Sequence, residues 1–286
     1  MSNLEQRKKA EAFRALHSAP QVLLLANVWD VASARIIEEG GFPALATSSA
    51  GVAFSQGYPD GEKIPPHRMI AVIARIAAAI RVPLTADVEA GYGGKPEDAA
   101  RTAGGVIEAG AVGMNLEDTT GDAAHPLADL SLQLEKIRAV RQASENAGVP
   151  LVLNARTDVY WLEAGEPGKR YDETLRRLAA FRDAGADCVF VPGLNDPPSI
   201  ARLVADLKCP VNILAVPGSP SVAQLAALGV KRISLGSGPM RAALGLLRRL
   251  ATELQTQGTY THLGGAPAYA EMNALMNAKR DPDPEN

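Results

Sequence analysis

Eight short apolar segments recur along the chain, and a helix-like segment follows each of them. The apolar segments span residues 22–25, 44–47, 82–87, 112–116, 151–155, 188–191, 211–214 and 230–235. Because these segments are apolar on both faces, they are typical of strands in a parallel sheet that helices cover. Eight such units of regular length predict a (β/α)8 TIM-type barrel, and an open doubly wound sheet is the alternative.

The domain organisation follows from the same regularity. No shift in composition along the 286 residues marks a linker, so residues 1–286 are expected to form a single domain. Residues 1–16 predict an amphipathic helix ahead of the first strand, and residues 268–277 predict a helical extension after the eighth unit. The polar, proline-containing residues 280–286 predict a disordered tail.

Composition excludes several classes of function. A net charge of -3 leaves no basic surface for nucleic acid, and no apolar run is long enough to cross a membrane. The first 16 residues lack the apolar core of a signal peptide. Cys188 and Cys209 lie within or beside apolar strands, as buried thiols do in a reducing compartment. We therefore expect a cytoplasmic protein.

Acidic side chains follow the third and fourth strands. Asp87 and Glu89 stand two residues apart, so strand alternation predicts that they face the same side. Glu117 and Arg156 end the next two strands, and Asp60, in a long connection, can reach the same end of the barrel. Carboxylates without His or Cys suit Mg2+, or Mn2+, better than Zn2+. The alternative is a network of ion pairs that closes the barrel.

Four motifs make the chain resemble the isocitrate lyase/phosphoenolpyruvate mutase superfamily over residues 27–238. They are Ala-Asp-Val-Glu-Ala-Gly-Tyr-Gly at 86–93, Asn-Leu-Glu-Asp at 115–118, Asn-Ala-Arg-Thr-Asp at 154–158, and Ser-Ser-Ala at 48–50 with Asp60 beyond it. The resemblance implies a (β/α)8 barrel that exchanges its eighth helix between subunits and assembles as a dimer or tetramer.

The resemblance also implies roles for individual residues. Asp87 would be the direct Mg2+ ligand, while Asp60, Glu89 and Glu117 would hold the water molecules of the metal. Arg156 would neutralise a small 2-oxo or 2-hydroxy acid, whose 2-oxo-carboxylate end would be cradled by Ser48, Ser49 and Ala50. Asn212 is a further candidate, because it can point into the barrel and hydrogen-bond the substrate.

The implied chemistry is cleavage of a C–C bond next to a carbonyl, as in isocitrate or 2-methylisocitrate lyase, through a metal-stabilised enolate. Oxaloacetate decarboxylation or hydrolysis, and P–C cleavage of phosphonopyruvate, are the rival reactions. A protein that binds oxo acids without turnover is the alternative from another class. In each case the partner is a small molecule, and no organic cofactor is needed.

Two positions depart from the pattern of the superfamily. Glu89 stands where most members have Asp. The loop at 119–126 lacks the Cys and the basic pair that the lyases carry, so standard lyase activity is in doubt. His125, Asp122 or another group would then protonate the product, unless the reaction needs no such proton. An exposed loop histidine is an equally good interpretation of His125.

Overall fold

The computed structural model describes residues 2–277 and contains nine parallel strands in one sheet. Only Ala26 separates the first two strands; the first pairs with the last, and the second pairs with the third. Residues 23–28 therefore join the two edges of the sheet and close a barrel, which confirms the predicted (β/α)8 fold. The strands are β1 Leu23–Leu25, β2 Asn27–Val28, β3 Leu45–Thr47, β4 Leu84–Asp87, β5 Gly113–Glu117, β6 Val152–Arg156, β7 Cys188–Phe190, β8 Val211–Leu214 and β9 Arg232–Ser234.

Helices follow the strands and surround the barrel. They are α1 Asn3–Leu16, α2 Val31–Glu39, α3 Ser49–Ser55, α4 Pro66–Ala79, α5 Pro96–Glu108, α6 Leu130–Ala147, α7 Arg170–Asp183, α8 Pro197–Leu207, α9 Val222–Ala227, α10 Gly238–Gln257 and α11 Tyr269–Asn277. The expected helices at both ends are present as α1 and α11, whereas the predicted tail at 280–286 lies outside the described residues. In the described part, no helix is both long and apolar enough to span a membrane.

Helix α1 covers the N-terminal end of the barrel. Phe13 is fully buried, and its ring fills the space beside Gly113, where an added Cβ would lie 2.7 Å from Phe13 Cε1. Gln6 donates hydrogen bonds to the carbonyls of Ile107 and Ala111, at 2.7 and 3.0 Å. The floor of the barrel is thus sealed from solvent, and its open end is the one where the strands finish.

The barrel interior is polar for a large part of its height. Asn115, Asn154, Asn212 and Arg232 are all buried in strands that usually carry branched aliphatic side chains in this fold. Burial of so many polar groups is costly unless each group has a hydrogen-bond partner. The contacts of these residues therefore bear directly on the site above them.

Candidate active site

Asp87 is the last residue of β4, and both of its carboxylate oxygens are held. Oδ2 accepts hydrogen bonds from the backbone N–H and the hydroxyl of Ser49, at 3.0 and 2.9 Å. Oδ1 accepts a hydrogen bond from Asn115 Nδ2 at 3.2 Å, and the Asp87 N–H donates to Thr47 Oγ1 at 2.8 Å. The contacts from β3–α3 and β5 leave the carboxylate one orientation at the mouth of the barrel.

Glu89 reaches the site by a different route from the one the sequence predicts. Strand β4 ends at Asp87, and Glu89 has a left-handed φ of 53°, so strand alternation does not apply to it. Its Oε2 accepts a hydrogen bond from the Glu62 N–H, while Oε1 is buried without a partner among the described residues. Burial, followed by the charges of Asp60 and Asp87, raises the pKa of Glu89 to about 8.

Glu62, which was not among the residues predicted from the sequence, braces the glycine-rich turn that follows β4. Its N–H holds Glu89, and its own carboxylate accepts a hydrogen bond from the Tyr92 N–H. Lys136 Nζ, on α6, donates to the carbonyls of Ala90 and Gly93 at 3.0 and 2.7 Å. The turn over residues 89–94 is therefore fixed from two sides, although nothing in the sequence motif indicates these partners.

Arg156, at the end of β6, joins two carboxylates. Its Nη1 lies 2.8 Å from Glu117 Oε2, and its Nε lies 2.6 Å from Asp158 Oδ1. Burial alone would lower the pKa of Arg156, but Glu117 and Asp158 raise it well above its ordinary value. Burial raises the pKa of Glu117, against the opposing effect of Arg156. The predicted cation of the site is thus fully charged and held in place.

Asp118, next to Glu117, anchors the β5–α6 loop, residues 118–129. Its carboxylate accepts hydrogen bonds from Thr157 Oγ1 at 2.6 Å and the Asp158 N–H at 2.9 Å, and it pairs with Arg177 at 3.1 Å. Its carbonyl accepts from the Ala128 N–H at 2.8 Å, so both ends of the loop are tied together. Asp118 is therefore a support of the β5–α6 loop at the end of the strand that carries Glu117.

The remaining predicted residues fall into two groups. Ser48 caps α3 by accepting a hydrogen bond from the Gly51 N–H at 3.1 Å, and Ala50 is buried beside it. Asp60 is exposed at the rim, where partial desolvation, and then the charge of Asp87, raises its pKa. These residues gather around the mouth of the barrel.

Two predicted residues lie elsewhere. His125 is 84% exposed on the β5–α6 loop, and its partner at 3.4 Å is Asp122 rather than a carboxylate of the barrel. It borders a cavity of about 580 Å³ between this loop and residues 164–173. Asn212 is fully buried within the barrel, where it donates to Ser234 Oγ at 3.3 Å.

The acidic residues fit a hard divalent cation that keeps most of its water. Their donors are all oxygens, and the unpartnered Oε1 of Glu89 is a buried acceptor that awaits a donor or a cation. Within residues 2–277, no three carboxylate, imidazole or thiol groups converge closely enough to hold a metal ion directly. One direct ligand, with the other carboxylates acting through water, agrees with this spacing and with the preference of Mg2+.

Comparison with known proteins gives a consistent result. The sequence profile of the family described as phosphoenolpyruvate phosphomutase matches residues 13–255. The phosphoenolpyruvate phosphomutase of Streptomyces hygroscopicus is 31% identical over 89% of this chain and 83% of its own length. An oxaloacetate decarboxylase of Chromohalobacter salexigens is 29% identical, covering 85% of this chain and 84% of its own. An uncharacterised protein of Mycobacterium tuberculosis strain H37Rv is 38% identical over 82% of this chain and 84% of its own length.

Solved structures show the same similarity. A Burkholderia cenocepacia protein, provisionally described as a lyase/mutase, superposes with a TM-score of 0.90 at 40% identity, covering 96% of this chain and 97% of its own. An oxaloacetate acetylhydrolase solved with the product oxalate gives a TM-score of 0.83 at 28% identity, covering 94% of both chains. The relatives with named activities are lyases, mutases and hydrolases that share this barrel.

Proposed function

Since the chain belongs to the phosphoenolpyruvate phosphomutase family, we propose that it is a Mg2+-dependent enzyme that cleaves a C–C bond next to the carbonyl of a small 2-oxo or 2-hydroxy (di)carboxylate. One observation carries the proposal. The immobilised carboxylate of Asp87 and the Arg156–Glu117 ion pair end adjacent strands at the open end of a sealed barrel.

The residues divide between metal and substrate. Asp87 would hold the cation directly, while Asp60, Glu89 and Glu117 would hold its water molecules. Mn2+ suits the same oxygen donors. Arg156 would receive the substrate carboxylate, because its planar guanidinium is already charged and oriented by Glu117 and Asp158. Ser48, Ser49 and Ala50 would cradle the 2-oxo-carboxylate end of the substrate.

The chemistry needs a group that accepts negative charge during bond cleavage. A bound divalent cation neutralises the charge that develops on the carbonyl oxygen of the substrate. Arg156 keeps the carboxylate of the substrate in one orientation and adds a fixed positive charge near the reacting carbon. Asp118 and Arg177 anchor the two ends of the β5–α6 loop beside the strand ends.

Proton delivery separates the candidate reactions. The β5–α6 loop carries no cysteine, and the imidazole of His125 is 84% exposed beside Asp122. Either His125 or Asp122 would have to move inward to protonate a product. This arrangement favours substrates whose released fragment takes its proton from water, such as oxaloacetate, over isocitrate or 2-methylisocitrate. Cleavage of the P–C bond of phosphonopyruvate is the other reaction compatible with the site.

A second candidate function is binding of a 2-oxo acid without turnover. The same two facts favour it, namely the absence of a loop cysteine and the exposure of His125. The two functions differ in product formation, since both require the metal and the oxo-acid pocket.

A substrate panel tests the proposal. The purified protein is incubated with Mg2+ and oxaloacetate, isocitrate, 2-methylisocitrate or phosphonopyruvate, and release of pyruvate, glyoxylate or oxalate is measured. We expect turnover of at least one substrate that is abolished by EDTA. Tight binding of oxo acids without any product would instead support the binding protein.

The variant Asp87→Ala tests the residue at the centre of the proposal. Loss of the metal removes several kcal/mol of transition-state stabilisation, so kcat/KM should fall by about a thousandfold. The control is Glu145→Ala, which removes an exposed carboxylate from α6. Equal activity of the two variants would contradict the role of Asp87.

A further inference from the structure

A buried cation lies below the site. Arg232, on β9, is fully buried and is among the largest fully buried side chains in the described structure. Within residues 2–277, no carboxylate lies at ion-pairing distance from its guanidinium. Burial of an unpaired charge is costly, so the groups that contact this guanidinium bear on its role.

Among the contacts of Arg232, the one with Asn115 points toward the site. Its Nη1 faces Nε2 of His17 at 3.4 Å, its guanidinium lies 5.9 Å from the Phe13 ring centre, and its Nη2 donates to Asn115 Oδ1 at 3.3 Å. The imidazole is a neutral acceptor and the ring is uncharged, so neither one supplies a counter-charge. Burial lowers the pKa of Arg232, while Cys188 and then the carboxylate of Asp87 act electrostatically to raise it.

Asn115 connects the two charges. Its Oδ1 receives two donors, Arg232 Nη2 and Asn154 Nδ2, the second at 2.8 Å. An arginine can only donate, so the amide of Asn115 must present its oxygen to the barrel floor. Its Nδ2 is thereby turned upward, where it donates to Asp87 Oδ1 at 3.2 Å. If the amide were flipped, its NH2 group would face the donors Arg232 Nη2 and Asn154 Nδ2. Its oxygen would then face Asp87 Oδ1.

We propose that Arg232 is a positioning residue that acts through the amide of Asn115 to aim the Asp87 carboxylate at the divalent cation. The inference rests on the proposed function, because it concerns the same metal site. Arg232 touches neither metal nor substrate, and its effect is transmitted by two hydrogen bonds in series. Partners behind a metal ligand typically contribute about 10- to 100-fold in metal affinity.

Mn2+ binding to the purified protein tests this Arg232–Asn115–Asp87 relay. Free Mn2+ is followed by EPR spectroscopy, and Mg2+ is added as a competitor. We expect Arg232→Gln and Asn115→Ala each to weaken Mn2+ binding by about 10- to 100-fold. The double variant should be no weaker than the single ones, because the two residues act in one chain. Thermal unfolding is measured in parallel.

A matched control separates positioning from general destabilisation. Phe181→Leu removes volume from a fully buried side chain on α7, a helix that carries none of the three relay residues. It should lower the melting temperature without changing the Kd for Mn2+. If Arg232→Gln does not fold, Asn115→Ala tests the same link with a smaller change.

The outcomes are distinct. Wild-type protein that binds no Mn2+ contradicts the proposed function itself. If the wild-type protein binds Mn2+ and Arg232→Gln or Asn115→Ala binds it equally well, the relay is overturned and the proposed function stays intact. Additive losses in the double variant also overturn it.

Discussion

At the scale of single residues, the floor of the barrel depends on an uncharged histidine. His17 is 3% exposed; its Nδ1 lies 2.9 Å from the Phe13 carbonyl, and its Nε2 faces Arg232. The tautomer with a proton on Nδ1 satisfies both contacts, and a second proton would set two cations side by side. Burial, followed by the charge of Arg232, lowers the pKa of His17 to about 3.

Stability should therefore fall in acid. Between the ordinary pKa of 6.5 and the folded-state pKa of about 3, the unfolded chain binds a proton at His17 that the folded chain does not. Lowering the pH from 8 to 5 should reduce the free energy of unfolding by about 2 kcal/mol through this residue. Urea unfolding of wild type and His17→Gln over this range measures the difference, and parallel pH profiles would contradict it.

The residues of the site were only partly predictable from the sequence. Asp87, Glu117 and Arg156 were predicted at strand ends, because a barrel brings those ends together and buried strands are easy to recognise. Glu89 was assigned to the right region for the wrong reason, since its left-handed φ of 53° takes it out of the strand and its carboxylate is held by the Glu62 N–H. Such contacts between distant segments leave no periodic pattern in the sequence.

At the scale of elements, the glycine-rich turn over residues 89–94 is held by a helix from the next unit. Lys136 is 4% exposed, and its ammonium group contacts two carbonyls of the turn. Asp98 fills the space that a Cβ on Gly93 would need, and the Gly93 φ of 155° favours glycine. The turn can hold Glu89 in place only while these contacts persist.

Replacement of Lys136 by Met should loosen this turn. The variant keeps most of the apolar stem but leaves two carbonyls without their donor, which should cost about 2 kcal/mol of unfolding free energy. Hydrogen exchange by mass spectrometry should show faster exchange in residues 88–95. Arg138→Met is the control, because Arg138 is exposed on the same helix. Unchanged exchange in Lys136→Met would argue against this role.

Two features of the fold were not predicted from the sequence. Helix α3 begins directly after β3, and its cap is a single serine inside a small-residue stretch that reads as a loop. Strands β1 and β2 were expected to be one strand. The chain changes pairing partner at Ala26, because β1 pairs with β9 and β2 pairs with β3 where the barrel closes. Regular periodicity predicted the other strands, and the helices at both ends of the chain, to within a few residues.

At the scale of the whole molecule, α10 presents an apolar stripe that residues 2–277 leave uncovered. Leu244, Leu247 and Leu254 are 43%, 59% and 51% exposed, and among the residues of this helix only Met240 and Glu253 are buried. Exposed leucines at helical spacing mark a contact surface. We therefore propose that α10 packs on a second subunit, as the exchange of the eighth helix implies.

A charge on this stripe should change the assembly state. We expect wild type to sediment as a dimer or tetramer and Leu247→Glu to shift toward the monomer, because a buried carboxylate without a partner is costly. Gln255→Glu adds the same charge at an exposed polar position and should leave the assembly unchanged. Analytical ultracentrifugation distinguishes the species, and a monomeric wild type would rule out exchange.

The central claim is that Asp87 organises a metal-dependent site for small oxo acids. Isothermal titration calorimetry with oxalate, with and without Mg2+, tests it most directly, since oxalate resembles the chelating end of a 2-oxo acid. We expect binding that requires Mg2+ and is lost in Asp87→Ala while thermal stability is retained. Oxalate binding that is equally tight without Mg2+, or that survives in Asp87→Ala, would contradict it.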